Sequence, residues 1–331
     1  EEFVRLAALN GMDVFRIFDC FNVVDNMRVA IKAARAANKI AEVAICYTGN
    51  LMTSAIYNTE YYKEVAKEIT EAGAHMIAIK DMAGLLRPFE VKPLLDAIRS
   101  VTDLPIHFHT HATASGSIAV CMEMARCNCD IIDFATASMA DGTSQPSLNV
   151  FVAMVEGSDY DTGMNYLDLE TYDMYWARVR DMYSPFESGM KSGSARVFEH
   201  QIPGGQYSNL IVQCQSMGIW DKWESVLDAY RDVNKVLGDV IKVTPSSKCV
   251  GDLALYLVTR NLTAADLLDA SKAATIDFPE SVVGLCLGDL GFPHRGFPPA
   301  LEQAVLKGRE KRTIRAGLTL TPADFTANIA T

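Results

Sequence analysis

Through the first 150 residues, short runs rich in β-branched and aromatic residues alternate with amphipathic stretches of helical periodicity. This alternation restricts the chain to folds built from parallel βα units. DVFRIFD (13–19) leads into a predicted helix from about Asp25 to Asn38, with Asp25 placed to accept bonds from the free N–H groups of the first turn. AEVAICYTG (41–49) leads into a helix from about Thr59 that Gly73 should stop. MIAIKDMAG (76–84) leads into VKPLLDAIRSV, LPIHFHTHA (104–112) into SIAVCMEMARC, and IIDFATASM (131–139) is the fifth expected strand.

Recurrent parallel units close into a (β/α)8 barrel or open into a doubly wound sheet. No G-x-G-x-x-G follows the first strand to favour dinucleotide binding in an open sheet. The polar residues gather instead at the C-terminal ends of the runs, where barrels build their active sites. A barrel needs eight strands, and the chain opens on an apparent helix, EEFVRLAALNG, running straight into its first strand. The expectation is therefore an N-terminally truncated TIM barrel over residues 1–150 with about five βα units, about three more lying upstream. After residue 150 the texture becomes helical (TYDMYWARVRDMY, DKWESVLDAYRDVNKVLG, VGDLALYLVTRN, PPALEQAVLKG) between Gly/Pro turns, which predicts a helical extension over 151–331. The last residues, LTPADFTANIAT, are expected to order only by docking.

A formal net charge of -11 argues against a nucleic-acid or anionic-membrane surface, since both need concentrated Lys and Arg. No long apolar run and no basic leader before an apolar core is present, so the expectation is a soluble intracellular protein. The cysteines sit in apolar segments without disulfide-framework spacing and read as reduced thiols. Cys127 and Cys129 form a C-x-C with no second pair nearby, too little for a zinc site.

Three of the six histidines, His107, His109 and His111, occupy alternate positions of one run. Alternate strand residues share a face, so the two nearest the C-terminal end, His109 and His111, can converge on a metal ion, and His107 should point deeper. Lys80 ends the apolar run MIAI. Partial desolvation favours its neutral amine, which reacts with CO2 or a carbonyl, and a carbamylated lysine would offer a carboxylate to a metal. Spacing alone favours an ion pair of Lys80 with Asp81 or Asp19.

IKDMAGLLRP (79–88), HFHTH (107–111), TSQPS (143–147), IPGGQYSN (202–209), KVTPSSKCVGDLALY (242–256) and DFPESVV (277–283), with VFRIFDCFN and AICYTG, closely resemble the carboxyltransferase domain of pyruvate carboxylase. The resemblance runs through essentially the whole chain in order. It implies a (β/α)8 barrel followed by a helical funnel, and the second half-reaction of the enzyme, in which CO2 passes from carboxybiotin to pyruvate to give oxaloacetate. It also implies Lys80, carboxylated, with His109 and His111 as ligands of a divalent metal (zinc, manganese or cobalt). Thr244 matches the threonine that relays a proton between the methyl of pyruvate and N1 of biotin, and Ser247 a residue lining the biotin pocket. Unaided, Thr244 reads as a turn or N-cap residue before Pro245, and PGGQYSN as a turn without a chemical role. Biotin would arrive on a carrier domain, ATP would be used by a biotin-carboxylase domain, and both domains lie outside this sequence. The implied assembly is a homotetramer, in the cytoplasm or the mitochondrial matrix.

The departures from the family are as specific. The aspartate that supplies the fourth metal ligand belongs to an Arg-Asp-Ala-His-Gln segment this sequence does not contain. The family follows H-T-H with Asp, where this chain has Ala112. Met190-Lys191 lacks the flanks of a biotinylation motif. Other readings are an α subunit of a biotin-dependent oxaloacetate decarboxylase or transcarboxylase, an acyl-CoA lyase or Claisen-type synthase, and a degenerate non-catalytic scaffold.

Overall fold

The computed structural model describes residues 1–313 together with 321, 323, 324 and 327, so most of LTPADFTANIAT lies outside the described residues. The elements follow in the order α1 (Glu2–Leu9), β1 (Val14–Ile17), α2 (Val24–Ala36), β2 (Ile40–Tyr47), α3 (Thr59–Glu71), β3 (Met76–Asp81), α4 (Pro88–Arg99), β4 (Ile106–Thr110), α5 (Ser117–Arg126) and β5 (Ile131–Ile132). The strands form a parallel sheet in the order β1-β2-β3-β4-β5, and a helix separates each from the next, as the alternation predicts. Then come α6 (Leu148–Val155), α7 (Tyr166–Tyr183), α8 (Val197–His200), α9 (Gly204–Ser216), α10 (Trp223–Val236), α11 (Ser246–Arg260), α12 (Ala270–Ala273), α13 (Glu280–Leu287) and α14 (Pro299–Leu306). Among the described residues no helix is long and apolar enough to cross a membrane. Cys127 and Cys129 are half-buried free thiols, and the other six cysteines are free and buried.

The chain forms two compact units, one of residues 1–46, 68–76 and 221 onward, the other of residues 47–67 and 77–220. In the first, β2 is buried without alternation from Ala41 through Cys46, the pattern of a parallel strand covered on both faces. In the second, Ile77, Ala78 and Ile79 of β3 and Ile106 and Phe108 of β4 are essentially inaccessible. Burying each of the larger of these side chains contributes about 1.5–3 kcal/mol.

Three local expectations change. The N–H groups entering α2 are held by Asp19, whose Oδ2 accepts from Phe21 N at 2.9 Å and Val23 N at 3.0 Å. Asp25 instead pairs with Arg28 at 2.8 Å, because the helix already begins at Val24. The fifth strand is two residues long rather than nine, since the Asp173 carboxylate captures Thr136 Oγ1 (2.6 Å) and Ser138 N (2.7 Å) and bends the chain into a short 3-10 turn, Ala137–Met139. PGGQYSN is the start of α9, with Pro203 as its N-cap. A helix can begin there because the missing proline N–H and the first glycine amides need no intrahelical acceptor.

Gly84 shows why one small residue is required after β3. Its φ is +69°, and a Cβ placed there would lie 2.4 Å from the carbonyl oxygen of His111. Gly84→Ala should destabilise the protein by about 1–3 kcal/mol from the backbone conformation alone, before any displacement of the His111 backbone. Thermal denaturation checks this, and a melting temperature equal to that of the parent would contradict the close approach.

Candidate functional site

Lys80 and His109 are cross-strand partners in the β3–β4 register. Asp81, next along β3, points to the opposite face. Its carboxylate, fully buried, accepts from Leu85 N at 2.9 Å, Leu86 N at 3.0 Å and Thr110 Oγ1 at 3.1 Å, and so fastens the turn after β3. Burial raises the pKa of Asp81 against the pull of these donors. Asp81 is thus engaged structurally on the face away from Lys80 and His109.

The three alternate histidines do share a region, as their spacing requires, but two of them share one carboxylate and the third takes a backbone carbonyl. His107, buried, meets Asp133 Oδ1 through Nε2 at 2.7 Å, and His109 meets Asp133 Oδ2 through Nδ1 at 2.8 Å. His111, just past the end of β4, meets the backbone carbonyl of Thr143 through Nδ1 at 2.7 Å. A carbonyl or carboxylate oxygen can only accept, so Nδ1 of both His109 and His111 carries the proton and donates it. In the neutral form of either ring the lone pair is then on Nε2. The two rings stand edge to face with centroids 5.3 Å apart. Burial pushes the His111 pKa down to about 4, against the Thr143 hydrogen bond, and the charges of His109 and Lys80 add to the depression. His111 is therefore the neutral imidazole that a metal ion requires.

The wall around His111 is built from glycine and backbone. Gly204, at the start of α9, donates its N–H to Met82 O at 2.9 Å, and a Cβ there would lie 2.6 Å from both His111 Nδ1 and Thr143 O. Ser208, one turn further along α9, donates to Thr143 Oγ1 at 3.0 Å. Ala112 is 2% exposed and its N–H bonds Ser144 O at 2.8 Å. Composition gave PGGQYSN no chemical role, yet its first glycine is what lets a helix reach the imidazole. Asp133 was not singled out either, although a polar residue closing the apolar pair Ile131–Ile132 is the same signal that marks Lys80 after MIAI. Thr143 acts through its carbonyl, for which the sequence carries no signal.

Thr244 and Ser247 belong to the other compact unit. Thr244 is exposed in the turn that precedes α11, whose N-cap is Pro245. The turn is knitted from beneath by Ser246, whose Oγ donates to Ile241 O (2.7 Å) or Val243 O (2.8 Å) and accepts from Val243 N (3.2 Å). Lys242, 2% exposed, donates to Val240 O at 2.9 Å, and burial lowers its pKa to about 8. Ser247 is buried in the first turn of α11.

Among the described residues no group of three or more His, Cys, Asp or Glu could hold a metal ion. The donors at the β3 and β4 ends are two imidazole Nε2 atoms and one lysine. That set suits a divalent cation when the lysine contributes oxygen in place of its ammonium.

Comparison with known proteins identifies the family of the chain. A family described as HMGL-like matches residues 15–174, and a family described as a conserved carboxylase domain matches residues 197–330. Pyruvate carboxylase of Bacillus subtilis is 47% identical over 329 residues, which are 99% of this chain and 28% of that protein. Pyruvate carboxylase 1 of Caenorhabditis elegans is 44% identical, over 98% of this chain and 28% of its own length. The solved carboxyl transferase domain of Rhizobium etli pyruvate carboxylase superposes with a TM-score of 0.94 at 45% identity, covering 98% of this chain and 55% of that one. The chain thus spans little more than a quarter of those two relatives and about half of the solved domain. It belongs to the pyruvate carboxylase family, within the carboxyltransferase domain.

Proposed function

We propose that this chain contributes to the carboxyltransferase half-reaction, in which CO2 leaves carboxybiotin and the enolate of pyruvate takes it up to give oxaloacetate. The observation that carries the reading is the pairing of two imidazoles whose Nδ1–H groups are engaged by oxygen, with Lys80 in register beside one of them. Family membership and a relative from Rhizobium etli solved with pyruvate and biocytin support the same substrates. The similar proteins named above are pyruvate carboxylases, which favours this reading over a decarboxylase or transcarboxylase subunit.

In this reading His109, His111 and a carboxylated Lys80 would hold a divalent metal (zinc, manganese or cobalt), which would supply Lewis acidity to polarise bound pyruvate. His111 presents a neutral Nε2 donor without rearrangement, and the Nδ1–H of His109 is likewise engaged by oxygen. Thr244 moves the proton, its hydroxyl accepting from the pyruvate methyl and donating to N1 of biotin, since a hydroxyl is donor and acceptor at once. Exposure of Thr244 on a turn held rigid by Ser246 suits a group that must meet two reactants in succession. Ser247 lies one helical residue beyond that turn and is assigned to the biotin pocket. The biotin-carrier and ATP-using biotin-carboxylase domains, and a tetrameric assembly, are the partners this half-reaction requires.

Two measurements test the reading. Thr244→Ala in the intact enzyme should abolish oxaloacetate formation while biotin-dependent ATP cleavage persists; an unchanged carboxylation rate would refute the proton transfer. Lys80→Gln, which cannot be carboxylated, should lower the bound divalent metal measured by elemental analysis and lower carboxylation with it. Full metal content in Lys80→Gln would remove Lys80 from the ligand set.

A further inference from the structure

The alternation His107, His109, His111 leaves one imidazole without a part in the reaction, and Asp133 is a carboxylate with none assigned. The β4–β5 register pairs His107 with Ile131 and Phe108 with Ile132, and the same spacing carried one residue further sets Asp133 beside His109. On its other side His109 is paired with Lys80. The row across the three strands is therefore Lys80, His109, Asp133. The Asp133 backbone N–H is fixed to Phe108 O at 2.9 Å, so the carboxylate starts from a rigid point on the sheet rather than from a free loop.

We propose that Asp133 is the positioning residue of this site, fixing the tautomer and orientation of His109, and that His107 serves to hold Asp133 in place. This deepens the metal reading above and rests on it. The two carboxylate oxygens are divided: Oδ2 takes the His109 Nδ1 proton and Oδ1 the His107 Nε2 proton. A carboxylate bonded by His109 alone could swing with it. Bonded at 2.7 Å to a second imidazole that is buried in the sheet, it is held from both ends. With Nδ1–H committed, the only nitrogen of His109 that can offer a lone pair is Nε2. Without that acceptor the ring is free to protonate at Nε2 instead, which removes the lone pair that would face a cation. Carboxylates behind ligating imidazoles act in this way, and losing one costs about 10–100-fold in metal affinity.

The test is cobalt(II) binding to the intact protein, measured by chelator competition, for the parent and for Asp133→Leu and Asp133→Asn. Asp133→Leu matches the carboxylate in size but accepts no hydrogen bond, and it should bind cobalt about 10–100-fold more weakly. Asp133→Asn keeps one acceptor oxygen and should fall between the two. Parent-like affinity in Asp133→Leu overturns the proposal and leaves the metal reading intact. If Asp133→Leu does not fold, Asp133→Ala takes its place with the same two outcomes. Should the parent itself take up no cobalt, it is the metal reading that fails. The His109 ring in a crystal structure of Asp133→Leu then decides the proposal: a ring turned from its parent position upholds it, and an unmoved ring overturns it.

Discussion

The parallel pairing of β3 with β4 is the constraint on which the rest of the site depends. It sets Lys80 opposite His109 and, because strand side chains alternate, sends Asp81 to the other face, where it closes the following turn. A slip of one residue in this register would put Asp81 beside His109 and point Lys80 into the turn. The uninterrupted burial of Ile77, Ala78 and Ile79 against Ile106 and Phe108 is what makes such a slip costly. The chemistry of the strand ends is thus specified by apolar residues that take no part in it.

Much of this was legible in the amino-acid sequence. Periodicity located all five strands and the helices between them, because both elements carry their own repeat and parallel strands are bounded by turn residues. The polar ends of MIAIKD and HFHTH pointed to Lys80 and the histidines, and alternation put the three imidazoles on one face, although it is His107 and His109 that share a partner, Asp133. Boundaries were less faithful where a side chain from far along the chain intervenes. Asp173 ends the fifth strand early from a distance of more than 30 residues, and no local pattern at 131–139 announces it.

What stayed hidden is contributed by backbone and by the lack of side chains. Thr143 holds His111 with a carbonyl that any residue would possess. Gly84 and Gly204 matter for the volume they leave empty, and in a sequence a glycine at a close approach looks like one in an open turn. Asp133 carried a signal, since it closes an apolar strand as Lys80 does, but its two imidazole partners emerge only when β4 and β5 are laid side by side.

Gly204 has one further consequence. With the first residue of α9 against the His111 ring and the Thr143 carbonyl on the same side, the imidazole has little torsional freedom left. Side-chain entropy that a mobile histidine would lose on meeting an ion is here lost during folding. Any readiness of His111 for an ion would in that sense be a property of a helix thirteen residues long and one turn of loop, as much as of the ring itself.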